Sequence, residues 1–389
     1  MASDLRPAQR PVTEWDDDRR IKRLRETRLG KGRASGRLFV QLGVALLAVV
    51  IVCTQYWVYD VAPERARLAS TQPQVHHIYD AQDPLDQDTA VVDLVGLGNL
   101  DASATAIKLP SFTRIGQVWA VQYDNSGLDT AVISRIIAQH ALREGVDRLV
   151  LAGHSMGGII ALEVAEHIAE DTDLELKAVI LDCTPINLHA VRAQSRDAGE
   201  DMLRWMGWLP GARESRSLRL LVETVARRDR YLFPSSGRNR FVDVGELTRV
   251  VDEVLHGKIL SKNTASNGLI ESQFRAIVAS GAQDDLETLT SDDDNNPAFV
   301  FLRPIFGDAD PVVDVDYSQR ALFDRTGGPD GRLLVVRMPG TGHANPGQQP
   351  EQYNRAIEDA IDPFLAELEL RDGDSAVADA AAGRERGTP

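Results

Sequence analysis

Leu149-Val150-Leu151-Ala152-Gly153-His154-Ser155-Met156-Gly157-Gly158-Ile159-Ile160-Ala161-Leu162 decides how the rest of the chain is read. The apolar run Leu149 to Ala152 reads as a buried strand, and Ile159 to Ala165 as a helix. Between them Gly153, Ser155 and Gly157 hold the Gly-x-Ser-x-Gly spacing, with Gly158 added. A serine between a strand and a helix must sit on a sharp, strained turn that only small neighbours permit. The turn lifts its hydroxyl out at the carboxyl end of a sheet. It also leaves the Met156 N–H at a helix N-terminus, where it can meet a developing oxyanion.

A serine hydroxyl is a weak nucleophile at neutral pH and needs a base. Of the eight histidines, His343 alone lies in a Gly/Pro-rich loop (Pro339-Gly340-Thr341-Gly342-His343-Ala344-Asn345-Pro346) just after a final strand, Leu333 to Met338. An imidazole there suits the role, its pKa lying near working pH. His154, beside the serine, points the other way on such a turn and reads as structural or pocket-lining. The base in turn needs a carboxylate to hold its tautomer. Gly307-Asp308-Ala309-Asp310 follows a strand that ends at Phe306, and Asp310 is the first choice. Asp308 and Asp182 stay open as alternatives.

Around these residues the chain alternates short apolar strands with amphipathic helices. Strands are expected at Val91–Val95, Gln117–Asp124, Leu149–Ala152 and Ala178–Asp182, with a helix at Leu128–Arg143. That rhythm implies a parallel sheet covered on both faces. It breaks at Ile186 and returns at Ala298. The intervening stretch of about 110 residues is far too long for a connection and reads as an inserted helical subdomain. No strand is expected in it. A closing helix spans Pro350 to Leu370, kinked at Pro363.

The first residues differ in character. Residues 1–37 are dense in charge, with arginines and lysines between Arg19 and Arg37, and are expected to lack structure, although a helix from Asp16 to Arg28 could form locally. Leu38 to Tyr59 is apolar and free of charge, close to the ~20 residues that cross a bilayer. Tyr56, Trp57 and Tyr59 supply an aromatic belt at one end and the arginines flank the other. The expectation is a single-pass cell-membrane anchor with a cytoplasmic N-terminus and everything after Asp60 outside; a cleaved signal peptide and a buried core helix stay open as alternatives. Residues 60–88 form a polar linker, and Arg371 to Pro389 a disordered tail.

Composition excludes other classes. A net charge of −15 argues against a nucleic-acid partner, which would need clustered cations. The two cysteines, Cys53 and Cys183, suggest neither a disulfide framework nor a metal site, and His76-His77 lack a third ligand at a useful spacing.

Gly-His-Ser-Met-Gly-Gly, Gly-Asp-Ala-Asp-Pro-Val-Val and Gly-Thr-Gly-His, in that order, resemble the α/β-hydrolase superfamily over about Val91 to Leu370. The resemblance implies a mostly parallel central sheet flanked by helices, with core at 89–185 and 297–370 and the insert 186–296 as a cap. It implies a Ser155–His343–Asp310 triad, and a second oxyanion donor in Val95-Gly96-Leu97-Gly98-Asn99, the backbone N–H of Leu97, although Val95 replaces the family's usual histidine. A small-molecule or lipid-like acyl ester is the implied substrate, hydrolysed with no metal or organic cofactor. A cofactor-free peroxidase, a carbon–carbon hydrolase and a catalytically silent scaffold share the fold.

Overall fold

Short apolar runs bounded by polar or glycine-rich turns become strands throughout the core. In chain order these are β1 (Gln74–Tyr79), β2 (Thr89–Leu94), β3 (Gln117–Gln122), β4 (Arg148–His154), β5 (Glu175–Asp182), β6 (Leu232–Pro234), β7 (Arg240–Val242), β8 (Ala298–Pro304) and β9 (Leu333–Met338). The structure is a computed structural model that describes residues 13–234, 240–261, 263–291, 296–326 and 332–372. Seven strands form one sheet in the order β1-β3-β2-β4-β5-β8-β9, parallel at every pairing except β1 with β3. The expected mostly parallel sheet is present, with β4 at its middle.

That order creates the site. After β2 the chain steps outward to β3, then returns past β2 to lay down β4 and the strands beyond it. Where the winding direction reverses, the carboxyl ends of β2 and β4 open a crevice. The turn Gly96–Asn99 leaves one end and Ser155 the other. Every residue of β2 and β8 is buried, as strands sandwiched between helix layers must be.

The helix Met156–Asp171 is apolar around most of its circumference and is correspondingly buried over its first turns. It is covered by the helix Thr130–Glu144 on one side and by Ala282–Leu289 on another. The Thr130–Glu144 helix is bounded by its own sequence. The Asp129 side chain accepts from the Val132 N–H at 3.0 Å, and Gly145, at φ 68°, ends it.

The insert is helical, as expected, with one correction: β6 and β7 pair antiparallel. Strands of three residues are too short to show a period-two pattern, so none was legible. Part of the insert has a small core of its own around Tyr231, Val250 and Val254. Its last portion does not stand apart. Ala265, Leu269, Phe274, Ile277, Leu286 and Leu289 join the main core. The closing helix begins at Pro350–Ala356, loosens into a π turn at Ile357–Ile361 just before Pro363, and continues over 362–372. A proline that lacks an N–H and crowds the preceding turn accounts for the widening. Of the expected tail, residues 373–389 lie outside the described residues.

Two compact units make up the chain, Met1–Asp60 and Val61–Pro389. In the first, one helix runs unbroken over Thr13–Tyr56. Residues 13–37 are therefore not the unstructured segment expected, while residues 1–12 lie outside the described residues. Leu, Arg, Lys, Glu and Ala are good helix formers, and adding turns to an existing helix is far cheaper than nucleating one. The helix Gly36–Leu68 is long and apolar enough to cross a membrane, and none of its most apolar window is buried. In the second unit, residues 61–88 of the expected linker hold more order than a linker: the helix Ala62–Leu68 and the edge strand β1 both fall there.

Candidate active site

Ser155 sits at φ 55° and ψ −119°, between the last residue of β4 and the first of the helix Met156–Asp171. Its N–H donates to the Asp182 carbonyl at 2.7 Å, a sheet-like tie that holds the turn against β5. The glycines permit the approach. A Cβ on Gly153 would land on the Gly157 backbone, and one on Gly157 on the Leu94 carbonyl. Three non-glycine residues have positive φ among the described residues: Ser155, Cys183 at 48° and Ala344 at 35°. Strain is concentrated at the ends of β4 and β5 and beside His343.

The structure brings Ser155, His343 and Asp310 together. Ser155 Oγ lies 2.8 Å from His343 Nε2, and His343 Nδ1 lies 2.8 Å from Asp310 Oδ2. A carboxylate can only accept, so this geometry puts the ring proton on Nδ1 and leaves Nε2 open to accept from the serine hydroxyl. Asp310 is wholly buried, and its other oxygen accepts from the N–H groups of Val312 and Val313, both at 2.8 Å. Arg192 braces the same loop, donating to the carbonyls of Asp310 and Gly307 at 2.7 Å each. Asp308 is exposed. Asp182 serves another histidine.

That histidine is His154, buried between two carboxylates. Its Nδ1 is 2.8 Å from Asp182 Oδ2 and its Nε2 is 3.0 Å from Asp93 Oδ1. The Nδ1 contact is a hydrogen bond, whereas Nε2 and Asp93 meet at ion-pair distance without hydrogen-bond geometry; a carboxylate on each side favours the imidazolium. Burial alone would disfavour that charge, but Asp93 and Asp182 outweigh it and lift the pKa to about 10. Burial pushes the Asp93 carboxyl upward, partly offset by His154. The Tyr353 hydroxyl reaches both Asp182 oxygens, at 3.1 and 3.0 Å, and accepts the Asn345 N–H at 3.1 Å. One buried network thus ties the residue before Ser155 to the loop that carries His343.

Met156 opens its helix, so its N–H has no intrahelical acceptor. The Leu97 N–H, in the turn after β2, bonds to no backbone carbonyl among the described residues. That turn is held from the insert. Buried Gln273 accepts from the Gly98 N–H and donates to the Asn99 carbonyl, each at 2.9 Å. Leu97, Ser155 and His343 face a cavity of about 750 Å³ whose apolar wall includes Val191, Phe274 and Ile277.

Asp93, Gln273, Tyr353 and Arg192 were not anticipated. Asp93 left a trace: a carboxylate in the run Ala90-Val91-Val92-Asp93-Leu94-Val95 has to be buried and therefore partnered. The others carry no local signal.

The chain matches a family model described as alpha/beta hydrolase family over residues 74–356. No curated protein sequence matches it. Similar solved structures include a thermophilic esterase from Thermogutta terrifontis, 15% identical over 75% of this chain and 94% of that one, with a TM-score of 0.46. A membrane phospholipase A, a bacterial virulence factor, is 19% identical over 83% and 98%, with a TM-score of 0.48. A monoacylglycerol lipase from Paleococcus ferrophilus is 14% identical over 75% and 99%, with a TM-score of 0.46.

Proposed function

The chain belongs to the alpha/beta hydrolase family, and from that premise we propose that it is a membrane-anchored serine hydrolase that cleaves carboxylic esters through an acyl-enzyme. The observation that carries the proposal is the unbroken relay of two 2.8 Å contacts from Ser155 through His343 to buried Asp310.

In this reading Ser155 Oγ attacks the ester carbonyl and its proton passes to His343 Nε2. Asp310 keeps the other ring proton on Nδ1 and stabilises the imidazolium. The oxyanion is received by the N–H groups of Leu97 and Met156, which among the described residues have no backbone acceptor to give up. His343 then hands its proton to the leaving alcohol. Water, activated by the same imidazole, attacks the acyl-enzyme and frees Ser155. Val191, Phe274 and Ile277 line the space that the acyl chain would fill, which favours an apolar acyl group.

The anchor is the second half of the proposal. The exposed apolar helix would be costly in water and is the right length for a bilayer, and its arginine-rich flank would stay cytoplasmic with the hydrolase domain outside. Full-length protein in detergent should hydrolyse p-nitrophenyl esters in a series of acyl lengths, with Ser155→Ala at background. Folded wild type inactive on the whole series would overturn the ester reading. Protease added to sealed cells should spare residues 1–37 and digest the hydrolase domain, and the reverse pattern would invert the topology.

A further inference from the structure

Away from Ser155, the described residues enclose another cavity, of about 290 Å³. Its wall carries four cations, Arg67, Arg216, Arg219 and Lys258, but two carboxylates, Glu64 and Glu214. Both carboxylates are already engaged. Buried Glu64 is shared by Arg67 at 2.6 Å and Arg216 at 2.8 Å, while Glu214 pairs with Arg65 at 2.9 Å. The wall is left with a surplus of positive charge.

Arg219 concentrates that surplus. It is 7% exposed, and its Nη1 donates to the Ala265 carbonyl. Its Nε is buried without an acceptor, and no carboxylate lies within ion-pair distance of it among the described residues. Burial lowers its pKa, and Glu223, one turn along the same helix, offsets this only in part. A buried guanidinium without a counter-ion is a costly state, because desolvation of the charge is not repaid. Lys258, exposed at the rim, has no ion pair among the described residues either. A protein that keeps such a charge beside a cavity gains by admitting an anion.

We propose that this cavity is an anion site that takes a phosphate group, with Arg219 at its floor and Lys258 at its mouth. A guanidinium offers paired donors that match phosphate oxygens, and a flexible ammonium at the rim complements it. More than one surplus cation suits a phosphate better than a single carboxylate. Two sources offer the group, a lipid headgroup and a soluble phosphate. Chain length favours the lipid. Arg67 follows Tyr59 by eight residues, so however the two units are arranged it lies within ~28 Å of that residue, even with the chain fully extended. The lipid source rests on the proposed anchor, whereas the phosphate chemistry does not depend on the anchor or on hydrolysis.

The test is calorimetric titration of the full-length Ser155→Ala protein, in non-ionic detergent, with inorganic phosphate and separately with short-chain phosphatidic acid. The Ser155→Ala background removes turnover and separates this site from the hydrolase reading. Saturable binding is expected, weakened about tenfold or more by Arg219→Gln and several-fold by Lys258→Ala. The rim variant answers for the site if the buried one does not fold. With Ser155 restored, Lys258→Ala should hydrolyse nitrophenyl esters at the wild-type rate. Tighter binding of phosphatidic acid than of inorganic phosphate assigns the site to lipid, and equal binding assigns it to soluble phosphate. No saturable binding of either probe, or binding indifferent to Lys258→Ala in a folded protein, overturns the proposal.

Discussion

Asp310→Asn attacks the proposed relay at its buried end while changing almost nothing in shape. Asp310 Oδ1 accepts two backbone N–H groups, from Val312 and Val313, both at 2.8 Å. An amide NH₂ cannot accept, so the asparagine must present its oxygen there and turn its NH₂ toward His343 Nδ1. The ring nitrogen can then only accept, which moves the imidazole proton to Nε2. Nε2–H would point at Ser155 Oγ and could no longer take the serine proton. Loss of the base through the wrong tautomer costs on the order of 10³–10⁴ in kcat, or ~4–5.5 kcal/mol of barrier. The assay is steady-state hydrolysis of p-nitrophenyl butyrate by the full-length protein, with Tm measured alongside. Tm should change little, because volume and backbone hydrogen bonds are kept. Asp308→Asn, on an exposed side chain, is the control and should leave kcat unchanged. An Asp310→Asn enzyme within about tenfold of wild type would refute the relay, as would a comparable loss in the control.

Three further outcomes follow from the packing around the site. Gln273→Ala frees Gly98 and Asn99 and loosens the turn that carries the Leu97 amide, so kcat should fall about ten- to a hundredfold with a smaller change in KM; an unchanged kcat would remove Leu97 from the oxyanion site. Burial, reinforced by Glu166 and Glu163, raises the Asp285 pKa to about 7, above its unfolded value, so folding stability is lost as pH rises from about 4 toward 7. Asp285→Asn should therefore exceed wild type in Tm at pH 8 by several degrees, the rise to about 7 corresponding to at most ~4 kcal/mol before solvent screening, and match it at pH 4; equal values at both pH would place Asp285 in a solvated setting. His154, lifted to about 10, contributes stability that is complete below its unfolded pKa of ~6.5 and disappears as pH rises through the folded value. A circular-dichroism melt should show Tm falling between pH 7 and pH 10.5, and a flat profile would mean that His154 is held neutral.

What could be read from sequence was what short-range rules govern. The strand–turn–helix around Ser155 was legible because a sharp turn demands small residues at fixed spacing, and Gly153 and Gly157 have backbone where a side chain would go. His343 and Asp310 were legible because each follows an apolar strand in a loop punctuated by glycine or proline. Sequence ranked Asp310 ahead of Asp182 but could not dismiss Asp182. Only tertiary packing shows that Asp182 is occupied by His154 and Tyr353, residues 28 and 171 positions away from it in the chain. Gln273 lies 175 positions from the Gly98 amide that it supports, and nothing local marks it. Within residues 13–37 a local helix over Asp16–Arg28 was legible, but not its continuity with the apolar helix after it, because charge density was weighed and cooperativity was not.

The central claim is that Ser155 is an activated nucleophile, and labelling of the full-length protein with a fluorophosphonate probe tests it most directly. Wild type should be labelled at a single site that peptide mapping places on Ser155, and Ser155→Ala should not be labelled. Folded wild-type protein that resists the probe, or label that persists in Ser155→Ala, would contradict the account.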